Sequence, residues 1–171
     1  VADLFAEDYL GGAELTTEAL IKSSPLKLFK IKSKDITLET LESGYNKFWI
    51  FTNYSQMDLE LIPTIVSNLK YSIVEYDYKF CRYRSVEKHL SAEMKECDCH
   101  NEMHGKLTSA FFHGAHTVFY MSYAQMKRYH ERFPFLQESE GSQQFVLSSC
   151  FSDEFFAAVK LLREKALGVE R

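Results

Sequence analysis

Cysteine and histidine side chains give this chain its most distinctive chemical signal. Cys97 and Cys99 are separated by one residue, and further thiol and imidazole groups lie on both sides of them. Thiolate and imidazole are ligands that zinc prefers, and four of them close a tetrahedral site. The inventory therefore predicts a zinc site made by Cys97, Cys99 and two of the side chains of Cys81, His89, His100 and His104. The ligand set that we favour is Cys81, Cys97, Cys99 and His104.

The spacing of the cysteines leaves a second interpretation open. A Cys-x-Cys pair differs from the C-x-x-C spacing of standard zinc sites and lacks the helix-start geometry of a redox pair. In that interpretation the cysteines are bystanders in a polar loop, and no metal is required. Acidic residues near the N-terminus, such as Asp3 and Glu7, argue against a secretory signal. Disulfides are therefore not the default, and we expect a cytoplasmic protein.

A polar segment, residues 75–84, follows the predicted central strand. Asp77 lies directly after that strand, where a parallel α/β sheet places its binding site. Its carboxylate is the predicted catalytic group, either accepting a hydrogen bond from a substrate hydroxyl or acting as a general base. Arg82 and Arg84 are predicted to bind a phosphate group. The alternative is a solvated loop in which these charges pair with one another.

Two adjacent glycines, Gly11 and Gly12, lie between a short apolar run and an amphipathic segment. This pattern is typical of a strand end, a turn and a helix N-terminus. Glycine allows positive φ and the close approach of a ligand, and the free amides of a first helical turn favour an anion such as a diphosphate. We predict that Gly11, Gly12, Ala13 and Glu14 contact a nucleotide, with at least one glycine at positive φ. A turn without a ligand is the alternative.

Strand and helix patterns alternate along the whole chain. Their spacing is that of βαβ units, which predicts an α/β, Rossmann-like fold with a mostly parallel sheet and helices on both faces. One domain over residues 1–171 is expected, with ligands at the carboxyl ends of the strands. The predicted strands cover residues 26–31, 47–51, 71–76, 117–121 and 145–147. The predicted helices cover residues 13–23, a short stretch after Asp35, 58–69, 85–96, 102–114, 123–133 and a closing segment from residue 152.

Composition and charge restrict the function classes. The 171 residues are 46% hydrophobic and 26% charged, an ordinary globular balance, and the net charge is −4. A negative chain argues against bulk nucleic-acid binding, which needs a basic face. No apolar run reaches the length of a membrane span. We therefore expect a globular domain that binds neither nucleic acid nor a membrane.

Three segments together resemble a known family. The Gly-Gly-Ala-Glu turn at residues 11–14 opens the first predicted helix, an apolar strand ending at Ser122 precedes a later helix, and residues 145–149 form a strand followed by two serines. These segments resemble the amino-terminal Rossmann domain of glycosyltransferases with the GT-B architecture, of the family 4-like type. The resemblance spans nearly the whole chain. Tyr76 stands where many relatives have a histidine, so the acceptor histidine of the family is not expected here.

The resemblance implies the acceptor-side half of a nucleotide-sugar-dependent glycosyltransferase. Its expected partners are a nucleotide-sugar donor and a sugar or glycan acceptor, with the glycine turn beside the donor diphosphate. In this family a second domain supplies most donor contacts, so residues 1–171 alone are expected to be inactive, and no cofactor is required. Two alternatives remain open: a stand-alone Rossmann-like binding or scaffold domain without catalysis, and a small nucleotide-binding enzyme.

Overall fold

The computed structural model describes residues 1–138 and 142–167. The chain forms two compact units. The sheet unit comprises Val1–Asp3 and Lys30–Ser148, and the terminal-helix unit comprises the described residues of Leu4–Phe29 and Ser149–Arg171. Within the described ranges, no helix combines the length and the apolar character that crossing a lipid bilayer would require.

A four-stranded parallel sheet forms the centre of the sheet unit. Its strands are β1 (Phe48–Phe51), β2 (Lys70–Glu75), β3 (Thr117–Tyr120) and β4 (Gln143–Val146), in the spatial order β1-β2-β3-β4. The register pairs Phe51 with Ile73 and Ile73 with Val118. β2 is buried along nearly its whole length, as expected of a central parallel strand. The predicted α/β, Rossmann-like fold with a parallel sheet is confirmed.

The first residues of the chain continue this sheet beside β1. The nitrogen of Val1 donates to the Ile50 carbonyl at 2.6 Å, and its carbonyl accepts from the Thr52 amide at 2.9 Å. On its other side, Ala2 bonds in the same parallel manner to residues 31–33, at 3.2 and 2.8 Å. The chain therefore reverses its direction of travel across the sheet between this N-terminal stretch and β1. Such a switch point is where open α/β sheets bind ligands.

The predicted strand at residues 26–31 is wrong. These residues form no strand, and the side chains of Leu26 and Phe29 are largely exposed. Leucines and lysines alternate there as in a half-buried strand, but the bridge to Ala2 is centred on the following residue, Lys32, and within this segment it engages the carbonyl of Ile31. An alternating pattern forms a strand only where a neighbouring strand pairs with it.

The described helices follow the predicted pattern closely. Thr37, Ser85 and Ser122 each accept a hydrogen bond from the amide three residues later, which caps a helix. Pro63 lies in a first helical turn, where its missing amide is tolerated. The α-helices are α1 (Gly12–Ser23), α2 (Leu38–Ser43), α3 (Ile62–Asn68), α4 (Val86–Glu93), α5 (Met103–Gly114), α6 (Tyr123–Arg132) and α7 (Asp153–Leu167). The 3-10 helices are Ser33–Asp35, Leu59–Leu61, Cys99–Asn101 and Pro134–Leu136.

An aromatic core fixes helices to the sheet. Phe111 of α5 stacks on Tyr71 of β2 with ring centroids 4.8 Å apart, and it meets Phe51 of β1 edge-on at 5.1 Å. Phe112 stacks on Tyr129 of α6 at 4.8 Å. All five rings are fully buried. Such pairs contribute about 0.5–1.5 kcal/mol each beyond the burial of their surface, so this core holds the carboxyl ends of the strands in place.

The terminal-helix unit contains α1 and α7. Phe151 and Phe155 stack with ring centroids 4.6 Å apart. Lys22 of α1 lies 3.9 Å from the carboxylate of Glu154 at the start of α7. A cavity of about 320 Å³ lies in this unit, and its lining includes Leu15 and Phe155. Among the described residues of α7, none is fully buried.

We expect a Gly105→Ala substitution to destabilise the chain by about 1–3 kcal/mol, as overpacking does in a filled interior. A Cβ at this position in α5 would overlap the carbonyl oxygen of Cys99 and lie 2.7 Å from the Cα of His100. These are backbone atoms, so a rotamer change cannot relieve the overlap. The measurement is the urea midpoint of unfolding.

Gly12→Ala is the matched control for this substitution. A Cβ at Gly12 has no atom within 4 Å, so its midpoint should stay unchanged or rise slightly. Equal midpoints for the two variants would show that α5 does not pack closely against the 99–101 backbone.

Candidate functional site

Polar side chains gather where β1, β2 and the N-terminal stretch end. Asn53 and Ser55 follow β1, Asp77 follows β2, and Asp3 follows the stretch that pairs with β1. Because these strands are parallel, their carboxyl ends meet at one edge of the sheet. Arg84 reaches all four of these residues, and we call the five side chains the carboxyl-edge site.

The Arg84 guanidinium is the centre of the carboxyl-edge site. Its Nε donates to Asp77 Oδ2 at 2.7 Å, and Nη2 makes a second, short contact with the same carboxylate. Nη1 donates to Ser55 Oγ at 2.7 Å, and Nη2 donates to Asn53 Oδ1 at 2.9 Å. Asp3 lies 3.8 Å away. The planar, five-donor guanidinium suits this fan of acceptors, which the point charge of a lysine could not reproduce.

The Arg84 backbone adopts a left-handed conformation, with φ of 56°. Such a conformation costs a non-glycine residue about 1 kcal/mol or more, and it persists only where its surroundings enforce it. The Arg84 amide donates to the Cys81 carbonyl at 2.8 Å, and the Arg84 carbonyl accepts from the Tyr78 amide at 3.2 Å. The 78–84 turn is thereby closed by its own backbone.

Asp3 anchors the switch point through a buried carboxylate. It accepts hydrogen bonds from the amides of Ser55 and Gln56, both at 3.1 Å, and short ones from the hydroxyls of Ser33 and Ser55. Burial by itself raises the pKa of Asp3, but these donors outweigh it and lower the pKa overall. Asp3 therefore stays ionised and attracts Arg84.

A buried ionic layer lies beneath the carboxyl-edge site. Glu75, at the end of β2, is fully buried and accepts from the Lys79 amide at 3.0 Å and from the Tyr129 hydroxyl at 2.9 Å. Lys79 Nζ lies 3.7 Å from Glu75 and donates to Asp77 Oδ1 at 2.8 Å. Burial raises the pKa of Glu75 to about 7, and the Lys79 charge only partly opposes this rise.

Gln125 joins the ends of two strands. Its side-chain nitrogen donates to the Asp77 carbonyl at 2.8 Å, and its side-chain oxygen accepts from the Met121 amide at 2.7 Å. Gln125 lies in the first turn of α6 and is buried. Asp77 is therefore held at its backbone by β3 and α6 and at its side chain by two cations.

The site can bind a polar ligand more readily than it can remove a proton. Both carboxylate oxygens of Asp77 are engaged, one by Lys79 and the other by Arg84. A carboxylate so placed still accepts a hydrogen bond from a hydroxyl, but as a general base it would have to leave a cation. Asp77 keeps about a fifth of its side chain exposed, and Arg84 more than a third. The side chains of Asp77 and Arg84 are therefore both accessible to a ligand.

Arg82 and Arg84, predicted together as a phosphate site, have different partners in the structure. Arg82 pairs with Glu102, and its guanidinium also lies near the sulfur of Cys99. Sequence reasoning missed Asp3, Asn53 and Ser55. The signal that indicated Asp77, a polar residue directly after a strand, also applies to Asn53 and Ser55 after β1.

A second group, the Cys/His cluster, consists of Cys81, His89, Cys97 and Cys99. All four residues are buried, and their ligand atoms lie within 4.8 Å of one another. His89 Nδ1 lies 3.4 Å from Cys99 Sγ and 3.8 Å from Cys81 Sγ. The three cysteines carry free thiols, and burial raises the pKa of Cys97 to about 12. This group has the residue types and the proximity to hold a metal ion.

The structure brings together three of the four metal ligands that we favoured. His104 is outside the cluster, and its Nδ1 lies 3.7 Å from the carboxylate of Glu102. His89, which the inventory had included as an alternative, takes the fourth place. The predicted convergence of Cys97 and Cys99 with two further side chains from this inventory is therefore confirmed. His89 lies on α4, and the sequence alone does not show that this helix brings the His89 imidazole close to Cys81.

The glycine turn differs from its predicted conformation. None of the described glycines has a positive φ, so that prediction is wrong. Gly11 is extended, with φ of −96°, and caps α1 without a side-chain hydrogen bond. A Cβ at Gly11 would overlap the Glu14 carboxylate and lie 2.7 Å from the Tyr9 ring. Gly11 is thus explained by close contacts. Gly12 and Ala13 form the first turn of α1, and Glu14 is buried.

Comparison of the chain with protein-family models, with curated proteins and with solved structures finds no match. The function must therefore be argued from the two sites.

We expect Glu75→Gln to flatten the pH dependence of stability. The pKa of Glu75 rises from an ordinary value of 4.5 to about 7, so between these values the folded chain holds a proton that the unfolded chain has released. Stability should therefore fall as pH rises through this window, and the fall should be smaller in the variant. The measurement is the urea midpoint between about pH 5 and pH 8.

Glu131→Gln is the control for this prediction. Glu131 is exposed on α6 beside Lys127, so Glu131→Gln makes the same chemical change at a position that is not buried. Identical slopes for all three proteins would show that Glu75 does not titrate in this window.

Proposed function

We propose that this chain is the acceptor-side, amino-terminal domain of a nucleotide-sugar-dependent glycosyltransferase. The observation that carries the proposal is the carboxyl-edge site at the switch point of a parallel sheet, where this class of fold binds its ligands. The resemblance of residues 11–14, 117–122 and 145–149 to that family supports the same assignment. The donor is then a nucleotide sugar and the acceptor a sugar or glycan.

The charge balance of the carboxyl-edge site favours the neutral acceptor. The Arg84 charge is offset by Asp77 and by ionised Asp3, and Lys79 is offset by Asp77 and Glu75. A diphosphate seeks uncompensated positive charge, whereas hydroxyl groups need convergent donors and acceptors in a fixed arrangement. Asp77 and Asn53 supply acceptors and the Arg84 guanidinium supplies a donor, whereas the Ser55 hydroxyl already donates to Asp3, so sugar hydroxyls fit this site.

In this proposal the donor diphosphate lies at the start of α1. Gly11 is the N-cap residue of α1, and no side chain caps the helix there, so the amides of the first turn can attract an anion. Ala13 has no bulky side chain that would block the approach of this anion. The buried Glu14 carboxylate now occupies the same positive end of the helix dipole. Donor binding would therefore require Glu14 to turn away from Gly11.

A binding or scaffold domain without catalysis is the second candidate. The engagement of both Asp77 oxygens by cations favours it, because no free general base remains at the carboxyl edge. The two candidates share the same ligand contacts and differ in turnover.

Zinc is the metal that we propose for the Cys/His cluster, in a structural role. Three sulfurs and one imidazole match the soft ligand set of this ion. The cluster needs reduced thiols, so we also propose a reducing, cytoplasmic compartment.

We expect neutral saccharides to bind the purified chain, and Asp77→Asn to weaken that binding at least about tenfold, since a hydrogen bond to a charged group is lost. The measurement is ligand-observed NMR with a panel of neutral mono- and disaccharides, and with nucleoside diphosphates as a second arm. Asp35→Asn, an exposed change of the same type, should bind like the wild type. Binding of diphosphates alone, lost in Asp77→Asn, would contradict the acceptor assignment.

Residues 1–171 alone should show no sugar transfer. The family resemblance places most contacts to the departing diphosphate in a second domain, and stabilisation of that charge is a large part of catalysis. The measurement is release of nucleoside diphosphate from a panel of nucleotide sugars. Turnover that Asp77→Asn abolishes would refute the half-enzyme hypothesis.

A further inference from the structure

We infer that Cys81, His89, Cys97 and Cys99 bind one zinc ion that positions the Arg84–Asp77 pair of the carboxyl-edge site. The metal site stands on its own geometry, and the importance of the positioning rests on the proposed function. The ion ties together three places in the chain, which are Cys81, His89 and the Cys97–Cys99 segment, and Cys81 belongs to the turn that ends at Arg84.

The separations within the cluster fit a single tetrahedral ion. A metal–sulfur distance of about 2.3 Å places two ligand atoms of a tetrahedron about 3.8 Å apart. The imidazole Nδ1 of His89 lies 3.8 Å from the Cys81 sulfur and 3.4 Å from the Cys99 sulfur. All four ligand atoms fall within 4.8 Å of one another. The side chains are therefore already close to a coordinating arrangement.

Four protein ligands make a closed site. Structural zinc is held by four side chains, whereas catalytic zinc keeps one position open for water or substrate. The cluster offers three sulfurs and one nitrogen, all of them buried. The metal is therefore assigned a structural role, and no reaction step passes through it.

Hydrogen-bond donors around the sulfurs suit thiolates. The backbone amide of Cys99 lies near the Cys97 sulfur, and the Arg82 guanidinium lies near the Cys99 sulfur. Three thiolates exceed the charge of a divalent ion by one, and Arg82, which also pairs with Glu102, lies beside this excess negative charge. Such outer contacts orient metal ligands and hold them in place.

The buried imidazole of His89 meets the Tyr83 ring edge-on, but it has no strong hydrogen-bond partner in the described part of the chain. Its ring is fully buried on α4, its Nδ1 meets only sulfurs at hydrogen-bond distance, and its Nε2 has no hydrogen-bond partner within the described part of the chain. Thiol groups are weak hydrogen-bond partners, so they repay little of the cost of burying an imidazole. A metal ion bound at Nδ1 would replace these weak sulfur contacts with a coordinate bond.

The 78–84 turn connects the metal to the carboxyl edge. The Cys81 amide donates to the Tyr78 carbonyl at 2.8 Å, and its own carbonyl accepts from the Arg84 amide at 2.8 Å. Cys81 Sγ is one of the four ligand atoms. Holding this sulfur fixes the turn, and the turn holds Arg84 in the left-handed conformation from which its side chain reaches Asp77.

The first experiment is metal analysis of the full chain purified without chelator. We expect about one zinc per chain, and cobalt substitution should give the visible absorption of a tetrahedral site rich in thiolates. His89→Ala and Cys99→Ser should each lower zinc content at least about tenfold, whereas His89→Cys should retain zinc, because it preserves four ligands. Cys150→Ser and His104→Ala, which change a cysteine and a histidine outside the cluster, should keep it.

Sub-stoichiometric zinc in the wild type, with no cobalt spectrum, would overturn the metal site even if every variant failed to fold. Equal loss of zinc in Cys150→Ser would overturn this ligand set. Neither result bears on the saccharide-binding measurement, so the proposed function is tested independently of the metal site.

The second experiment tests positioning by amide hydrogen exchange before and after zinc removal with a chelator. We expect the Arg84 amide, bonded to Cys81, to exchange at least about tenfold faster in the metal-free chain. The Leu69 amide, bonded to Ile65 at 2.9 Å in a segment away from the cluster, should be unchanged. An unchanged Arg84 amide, or equal acceleration of both amides, would overturn the positioning role and leave the metal site intact.

Discussion

The backbone hydrogen bonds of the 78–84 turn are the constraint on which both polar features of the sheet unit depend. They place Cys81 beside the other three members of the Cys/His cluster, and they hold Arg84 in a left-handed conformation. A residue with a Cβ adopts that conformation only where its neighbours compensate for the cost. Here the compensation comes from the fan of acceptors around the guanidinium, with Asp77 at its centre. The turn and the ion pair therefore stabilise each other.

The aromatic core makes this local arrangement possible. A ring on α5 packs against β1 and β2, and a ring on α6 stacks on α5, which leaves little freedom at the strand ends. The buried Glu75 and Lys79 form a layer between that core and the exposed site. Burying charges is costly, and the cost is recovered only when every member has a partner. Lys79 is such a member, since it meets Glu75 and Asp77 and also lies over the Tyr54 ring.

Much of the fold can be predicted from local sequence patterns, whereas the features that depend on pairing or packing between distant segments cannot. Alternation of apolar strands with capped helices predicted β1 to β4 within a few residues, because Ser122 and similar caps act over one turn. The segment 26–31 has the same alternation but does not form a strand, because strand formation depends on a pairing partner that the sequence pattern cannot show. The switch point was missed for the same reason, as it depends on pairing between Val1 and Thr52. Likewise, ligand inventory indicated a metal, but only the packing of α4 distinguishes His89 from His104.

The engagement of Asp77 by two cations sets the kind of chemistry that this edge supports. A carboxylate between Lys79 and Arg84 is held in one orientation, so a ligand that meets it pays little for ordering the protein. Each of its two oxygens already pairs with a cation, so a proton could be taken up only by breaking one of these contacts, which disfavours general-base catalysis. Recognition thus belongs to Asp77 and its neighbours, and any proton transfer would have to fall to a group outside this site. In the proposed function, this edge would therefore position the acceptor, and the chemistry would be completed by groups outside it.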